Sequence, residues 1–139
     1  MTAASAVSQQ PALATARTSS VIFLLRFEGL ATAAFSVFLY ARTGISWWLF
    51  AALFLVPDLS MLGYLAGPCR GARIYNAVHT YITPAALALC GLLLHQHVAL
   101  AIAFIWACHI GMDRMLGYGL KYADGFGYTH LGRLGKRDA

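Results

Sequence analysis

The sequence predicts an all-α membrane protein: a four-helix transmembrane bundle that runs up-down-up-down with both termini in the cytoplasm. Of its 139 residues, 60% are apolar and 11% are charged, and its mean hydropathy of +0.66 is far above that of a soluble domain. Four apolar stretches, each long enough to cross the hydrocarbon core, are joined by short polar links. Four spans with short links place both termini on one side.

The N-terminal tail and the first span differ in composition. Residues 1–19 are mostly Ala, Ser, Thr and Gln, which predicts a disordered N-terminal tail, with a transit peptide as the alternative interpretation. The first span is predicted over 20–40 and carries Arg26 and Glu28 within its apolar run. Ionisable groups at such positions are costly and therefore indicate a functional or paired role.

The second span is predicted over 47–66. Pro57 cannot donate a backbone hydrogen bond, so a kink is expected there, directly before Asp58. Gly63 and Gly67 form a small-xxx-small pair, which favours close approach of another helix. We therefore expect this pair to contact a second copy of the chain or a partner in a membrane complex.

The third and fourth spans are predicted over 74–94 and 98–119, with a kink at Pro84 in the third. The bundle then covers 20–121, and residues 122–139 form a basic cytoplasmic C-terminal tail. These boundaries follow from hydropathy and from the short turn between the two spans.

The distribution of basic residues orients the bundle. Seven Lys and Arg residues lie on the side of the termini, against Arg42 alone on the far side, so both ends are predicted to be cytoplasmic in the bacterial inner membrane. The bilayer is then the main partner. The excess positive charge falls in loops and tails rather than in a groove, which argues against nucleic acid. Three cysteines without a CxxC motif indicate neither a disulfide framework nor a zinc knuckle.

Ionisable residues from all four spans fall at one depth. His109 and Asp113 are four residues apart and share a helix face, while Arg114 points about 100° away. Counted from the cytoplasmic ends at about 1.5 Å per residue, Glu28, Asp58 and His79 lie at levels close to theirs. A shared polar cavity in the cytoplasmic half of the bundle is the economical explanation.

The order of motifs carries a family resemblance. RFEG, PDLSMLGYLAGP, YNAVHTY, HIGMDRMLGYGLKY and FGYTHLG follow one another between about Val21 and Gly135. In this order they resemble the small bacterial integral membrane protein family catalogued as domain of unknown function 4260. The resemblance implies a compact four-span bundle and a pattern of polar residues, and it supplies no activity. The pattern residues that match are Glu28, Asp58, Asn76, His79, His109, Asp113, Arg114 and His130.

These observations assign candidate roles to nine residues. His79, His109 and Asp113 are the candidate ligands of a divalent metal such as zinc, iron or manganese, because imidazole and carboxylate groups suit these ions. Catalytic roles are expected for Glu28, Asp58, Asp113 and Arg114. Asn76, Arg26 and His130 are expected to support the ligands from behind.

Each residue also has a purely structural interpretation. Arg26 can extend to the interface, Asp58 can cap the backbone freed by Pro57, and His130 can be a surface residue of the tail. Arg114 is expected to be neutralised by Glu28 or Asp58, since adjacent residues such as Asp113 do not face it on a helix. Taken together, structural roles account poorly for so many costly side chains at one level.

Three functions remain open at the level of sequence. The first is a metal-dependent membrane enzyme that acts on a lipid or another anionic amphiphile through a metal-activated water. The second is a proton-coupled transporter or channel-like dimer, against which counts the clustering of polar residues in one half of the bilayer. The third is a haem-binding or accessory subunit with His79 and His109 as axial ligands, for which their levels differ by about 6 Å.

Overall fold

The computed structural model describes the backbone of residues 3–134 and the side chains of residues 19–134. It has five α-helices: α1 (Ala3–Arg42), α2 (Trp47–Leu53), α3 (Pro68–Val78), α4 (Ile82–Leu93) and α5 (His97–Leu116). A 3-10 helix (Val56–Ala66) follows α2, and a short hairpin of β1 (Tyr128–Thr129) and β2 (Gly132–Arg133) follows α5. The tail predicted over 1–19 falls almost wholly outside the residues with described side chains and stays a prediction.

Four stretches of the described chain are long and apolar enough to span a membrane, as the sequence predicts. They are Ser19–Arg42, Trp47–Ala66, Pro68–Leu93 and His97–Leu116. Large apolar side chains on their outer faces are exposed, among them Phe23, Trp48 and Leu65. Such a surface is stable only when it faces lipid.

The second span changes its helix type halfway. Pro57 lies at the start of the 3-10 helix, where its missing N–H costs nothing, and Asp58 donates its N–H to the carbonyl of Leu55 at 3.1 Å. An eleven-residue 3-10 helix is unusually long for this tight conformation. The predicted kink at Pro57 is thus a change of helix geometry that begins just before the proline and extends to Ala66.

The third span begins earlier than the sequence indicates and is interrupted at residues 79–81. The break precedes Pro84, whose ring is incompatible with a regular helix one turn earlier. Interruptions inside a membrane free carbonyl groups, and side chains satisfy them here. Thr83 donates to the carbonyl of Ala77 at 2.7 Å, and the Trp106 indole donates to that of Val78 at 2.9 Å.

The fourth span, α5, contacts both α1 and α4, while the 3-10 helix packs on α3. The α1–α5 crossing is close because Gly29 and Gly111 face each other: a Cβ on Gly111 would lie 2.7 Å from the carbonyl oxygen of Gly29. Helix α5 ends at Leu116, before the predicted residue 119, because Gly117 adopts a left-handed conformation and caps it.

The two glycines predicted to contact a partner have structural roles within the chain itself. Gly63 lies against the side chain of Ile74 in α3, so that a Cβ at position 63 would lie 2.9 Å from Cδ1 of Ile74. Gly67 has a φ of 103° and joins the 3-10 helix to α3. An association of two copies through these residues stays a prediction.

Candidate metal centre

Two histidines and two aspartates from three spans converge on one point. They are Asp58 in the 3-10 helix, His79 directly after α3, and His109 and Asp113 in α5. One ligand atom from each residue lies within 4.8 Å of the other three. The sequence predicted three of them as metal ligands, and it assigned Asp58 a catalytic role.

Five of the six distances between these atoms are nearly uniform. The two Nε2 atoms of His79 and His109 are 3.3 Å apart. Oδ1 of Asp58 lies 3.6 Å from the first and 3.5 Å from the second. Oδ2 of Asp113 lies 3.5 Å and 3.7 Å from the same two nitrogens. The four atoms therefore occupy the corners of a distorted tetrahedron.

Local structure explains why each side chain points inward. His109 and Asp113 are one helical turn apart on α5, as their spacing predicts. His79 follows the last residue of α3 with non-helical angles, and this turns its ring toward α5. Asp58 lies in the first turn of the 3-10 helix, which the proline before it starts.

Tyr75 holds two of the four residues in place. Its ring stacks on the His79 imidazole, with centroids 3.7 Å apart and planes 8° apart. Its hydroxyl donates to Oδ2 of Asp113 at 3.1 Å. The carbonyl of Tyr75 lies 3.1 Å from Nδ1 of His79, so that nitrogen donates its proton and Nε2 turns its lone pair to the cluster.

The cluster is closed on its imidazole side and open on its carboxylate side. The side chains of both histidines are 3% exposed, whereas those of Asp113 and Asp58 are 18% and 31% exposed. Phe54 packs edge-on against His109 and contributes to the closed side. The aspartates are therefore the more accessible members of the cluster.

Glu28 and Arg114 lie in a different place from the cluster. They line a separate cavity of about 80 Å³, together with Thr32, Tyr81 and His130. Within residues 19–134, Arg114 forms no ion pair with Glu28 or Asp58, so the predicted neutralisation by a carboxylate is not made there. Its guanidinium instead lies 4.4 Å from the centre of the Tyr81 ring.

The three residues expected to support the ligands lie outside the cluster. Asn76 accepts from the N–H of Lys121 at 2.7 Å and donates to its carbonyl at 2.8 Å, so it fixes the backbone after α5. Arg26 lies against Gly117. His130 accepts from the N–H of Leu120 at 2.8 Å. Burial, together with the charge of Arg114, lowers the pKa of His130.

Lys121 and Tyr75 are two site neighbours that the sequence reasoning did not single out. Lys121 is 3% exposed, and its ammonium lies 4.1 Å from the ring centre of Phe126 and 5.2 Å from that of Tyr75. Burial lowers the pKa of this lysine, and the negative charge of Asp113 opposes that shift. The sequence offered a signal for Tyr75, which lies one helical turn before His79. It offered none for Lys121, which reaches this region through the turn after α5.

Comparison with known proteins gives one match. The family model described as domain of unknown function (DUF4260) matches residues 22–134. No curated protein and no solved structure matches the chain.

Proposed function

The chain belongs to the DUF4260 family, whose description assigns no function, and we propose from the geometry of the cluster that it is a zinc-dependent membrane hydrolase. His79, His109 and Asp113 hold the ion, and Asp58 is the carboxylate on the open side. The observation that carries the proposal is the spacing of the three ligand atoms, 3.3–3.7 Å apart, with Oδ1 of Asp58 3.5–3.6 Å from both imidazole nitrogens.

The spacing favours tetrahedral coordination. With bonds of about 2.0–2.2 Å, the corners of a tetrahedron around zinc are about 3.3–3.6 Å apart. Neighbouring ligands of an octahedral ion such as magnesium, with bonds of about 2.0–2.1 Å, are about 3 Å apart. The distances among His79, His109 and Asp113, 3.3–3.7 Å, lie closer to the tetrahedral than to the octahedral value, and a donor set of two imidazoles and one carboxylate suits zinc.

Charge supports the same assignment. Two carboxylates lie within 4.8 Å of each other inside apolar stretches long enough to span a membrane. Two negative charges at such a distance repel each other strongly at low dielectric. A divalent cation between two neutral imidazoles and two carboxylates makes the centre neutral, and the hydrogen bond at Nδ1 of His79 favours the neutral tautomer that binds metal.

The open aspartate side supports a catalytic centre rather than a purely structural one. Catalytic zinc sites keep three protein ligands and leave a position for water, whose pKa the ion lowers to about 7. Asp58 is the most exposed of the four side chains and is suited to take a proton from that water. A zinc ion held there would supply an activated water as the nucleophile, and Asp58 would pass the proton it takes from that water to the leaving oxygen as the ester bond breaks.

A haem-binding role fits the geometry poorly. Axial histidines lie on opposite faces of a porphyrin, whereas the two Nε2 atoms here are 3.3 Å apart and share their space with two carboxylates. Transport has no comparable support, because the cluster closes on its imidazole side.

Metal analysis of the detergent-purified full chain tests the proposal. The wild type should carry about one zinc ion per chain. His79→Ala and His109→Ala should each lose it, while His97→Ala, at an exposed position at the start of α5, should keep it. Asp58→Asn should retain most of the metal and lose turnover of ester and phosphodiester amphiphiles. A metal-free wild type, prepared without chelators in zinc-containing medium, would refute the proposal.

A further inference from the structure

An apolar groove with a volume of about 440 Å³ lies between the second, third and fourth spans. Small-molecule sites commonly have volumes of about 300–1,000 Å³. The 3-10 helix contributes Val56 and Ser60, α3 contributes Val78, and α5 contributes Ile102, Ile105 and Trp106. Almost the whole lining is hydrocarbon, so the groove suits an apolar ligand.

One end of the groove lies at the cluster. Ser60 lines the groove, and its hydroxyl lies 3.5 Å from Nδ1 of His79. Pro57 and Val78 also line it, and each directly precedes a cluster residue, Asp58 or His79. A ligand in the groove therefore has one end beside the metal ligands.

The other end lies deeper in the fourth span. Ile102 precedes His109 by seven residues of α5, which corresponds to about 10 Å along the helix axis. A volume of 440 Å³ spread over about 10 Å corresponds to a width of about 7 Å. A helix with its side chains is about 10–12 Å across and is too wide for this groove.

The groove opens sideways toward lipid. Val56, Leu59 and Ile74 line it and are 47%, 62% and 45% exposed, within stretches that span the membrane. Hydrocarbon chains are the ligands that surround such an opening in a bilayer.

We infer that the groove binds one hydrocarbon chain of a membrane amphiphile and places the polar group of that molecule against the cluster. The class of substrate is then a lipid whose hydrolysable bond lies next to its chain. This identification of the substrate depends on the proposed hydrolase function. Binding of the chain itself does not, because the groove is formed by apolar residues that are not metal ligands.

Quenching of Trp106 fluorescence by brominated lipid chains tests the inference. Trp47→Phe and Trp48→Phe in the full chain leave Trp106 as the only tryptophan. This protein is reconstituted into phosphatidylcholine vesicles whose acyl chains carry bromine near their middle. Ile102→Phe then fills the groove, and Leu89→Phe, on the exposed surface of α4 outside the groove, is the matched control.

The expected result is strong quenching in the parent and in Leu89→Phe, and loss of most of it in Ile102→Phe. Val56→Phe, at the rim, is a second filling variant in case Ile102→Phe does not fold. Equal quenching in a folded filled variant and in the control would overturn the inference.

A second pair of measurements separates this inference from the proposed function. Ile102→Phe should keep its zinc, and His109→Ala should lose its zinc but keep the quenching. If the wild type contains no zinc while the groove variants behave as expected, the hydrolase proposal fails and the chain site stands. If zinc is present and filling the groove has no effect, the chain site fails alone.

Discussion

Replacing Tyr75 with phenylalanine should weaken zinc binding about tenfold without unfolding the protein. The change removes one hydroxyl, which donates to Oδ2 of Asp113 at 3.1 Å. It keeps the ring, which stacks on His79. Without its donor the carboxylate is free to rotate away from the cluster, because within residues 19–134 its polar contacts are this hydroxyl and the two imidazoles.

The magnitude follows from the hydrogen bond. Bonds to charged groups contribute about 1.5–3 kcal/mol, and a length of 3.1 Å lies at the long end of the range for hydroxyl donors, so the lower value applies. A loss of about 1.4 kcal/mol raises the zinc Kd about tenfold. Loss of the donor also makes the carboxylate more basic, which favours zinc, but orientation dominates because the side chain is partly exposed.

Competition with a chromophoric chelator measures the zinc Kd of the purified protein in detergent. Tyr122→Phe is the matched control, because Tyr122 is exposed and outside the cluster. An unchanged Kd in Tyr75→Phe, with the fold intact by circular dichroism, would show that Asp113 needs no support or does not bind zinc.

Three further predictions concern packing and the C-terminal segment. Gly111→Ala should lower stability by about 1–3 kcal/mol, because its Cβ would lie 2.7 Å from a backbone oxygen of α1. The control Gly127→Ala, whose Cβ would have its nearest contact at 3.4 Å, should leave the melting temperature nearly unchanged. Equal effects of the two substitutions would refute the close crossing. Asn76→Ala removes two hydrogen bonds to the backbone of Lys121, each contributing about 0.5–1.5 kcal/mol. Trypsin should therefore cleave after this buried lysine faster than in the wild type. An unchanged cleavage rate would contradict the role of Asn76 in fixing this backbone. Because the folded pKa of His130 is lowered, docking of the C-terminal segment should be strongest above pH 6.5 and weaken as the pH falls through that lowered value. Amide protection factors of the segment, which correct for the intrinsic slowing of exchange in acid, should therefore fall on acidification in the wild type and fall less in His130→Gln. An equal fall in both would exclude His130 as the cause.

The sequence was sufficient to predict the four apolar spans and the shared face of His109 and Asp113. Hydropathy locates apolar stretches directly, and the rise per residue converts position into depth. The spacing of His109 and Asp113 fixed their shared face, because it depends only on helix geometry. These predictions need no knowledge of which helices are neighbours.

The sequence was insufficient to predict the rotation of each helix about its axis, which decides the neighbour that each face contacts. Gly111 is two residues from His109, which corresponds to about 200° around α5, so the face that contacts α1 is nearly opposite the cluster. Glu28 lies at the right depth but on the wrong side of α5, where it lines a cavity with Arg114. Depth alone could not separate Glu28 from Asp58.

The sequence also could not predict the backbone geometry at the helix breaks. Pro57 and Pro84 indicate that helices are interrupted, but the resulting angles depend on which side chains satisfy the freed carbonyls. Here the Trp106 indole, from another span, takes one of them. The direction of His79, the first residue of the break, therefore depends on a tertiary contact.

The distribution of the cluster over three spans determines when it forms during synthesis. Asp58 enters the membrane with the second span, His79 with the third, and His109 and Asp113 only with the fourth. Chains are made from the amino terminus, so the four ligand atoms meet only after the last span has inserted and packed. A nascent chain that stops before α5 holds one carboxylate and one imidazole, which is too few for a tetrahedral ion. For the proposed zinc site, loading of the ion would then follow insertion of all four spans, and bound metal would report that insertion is complete.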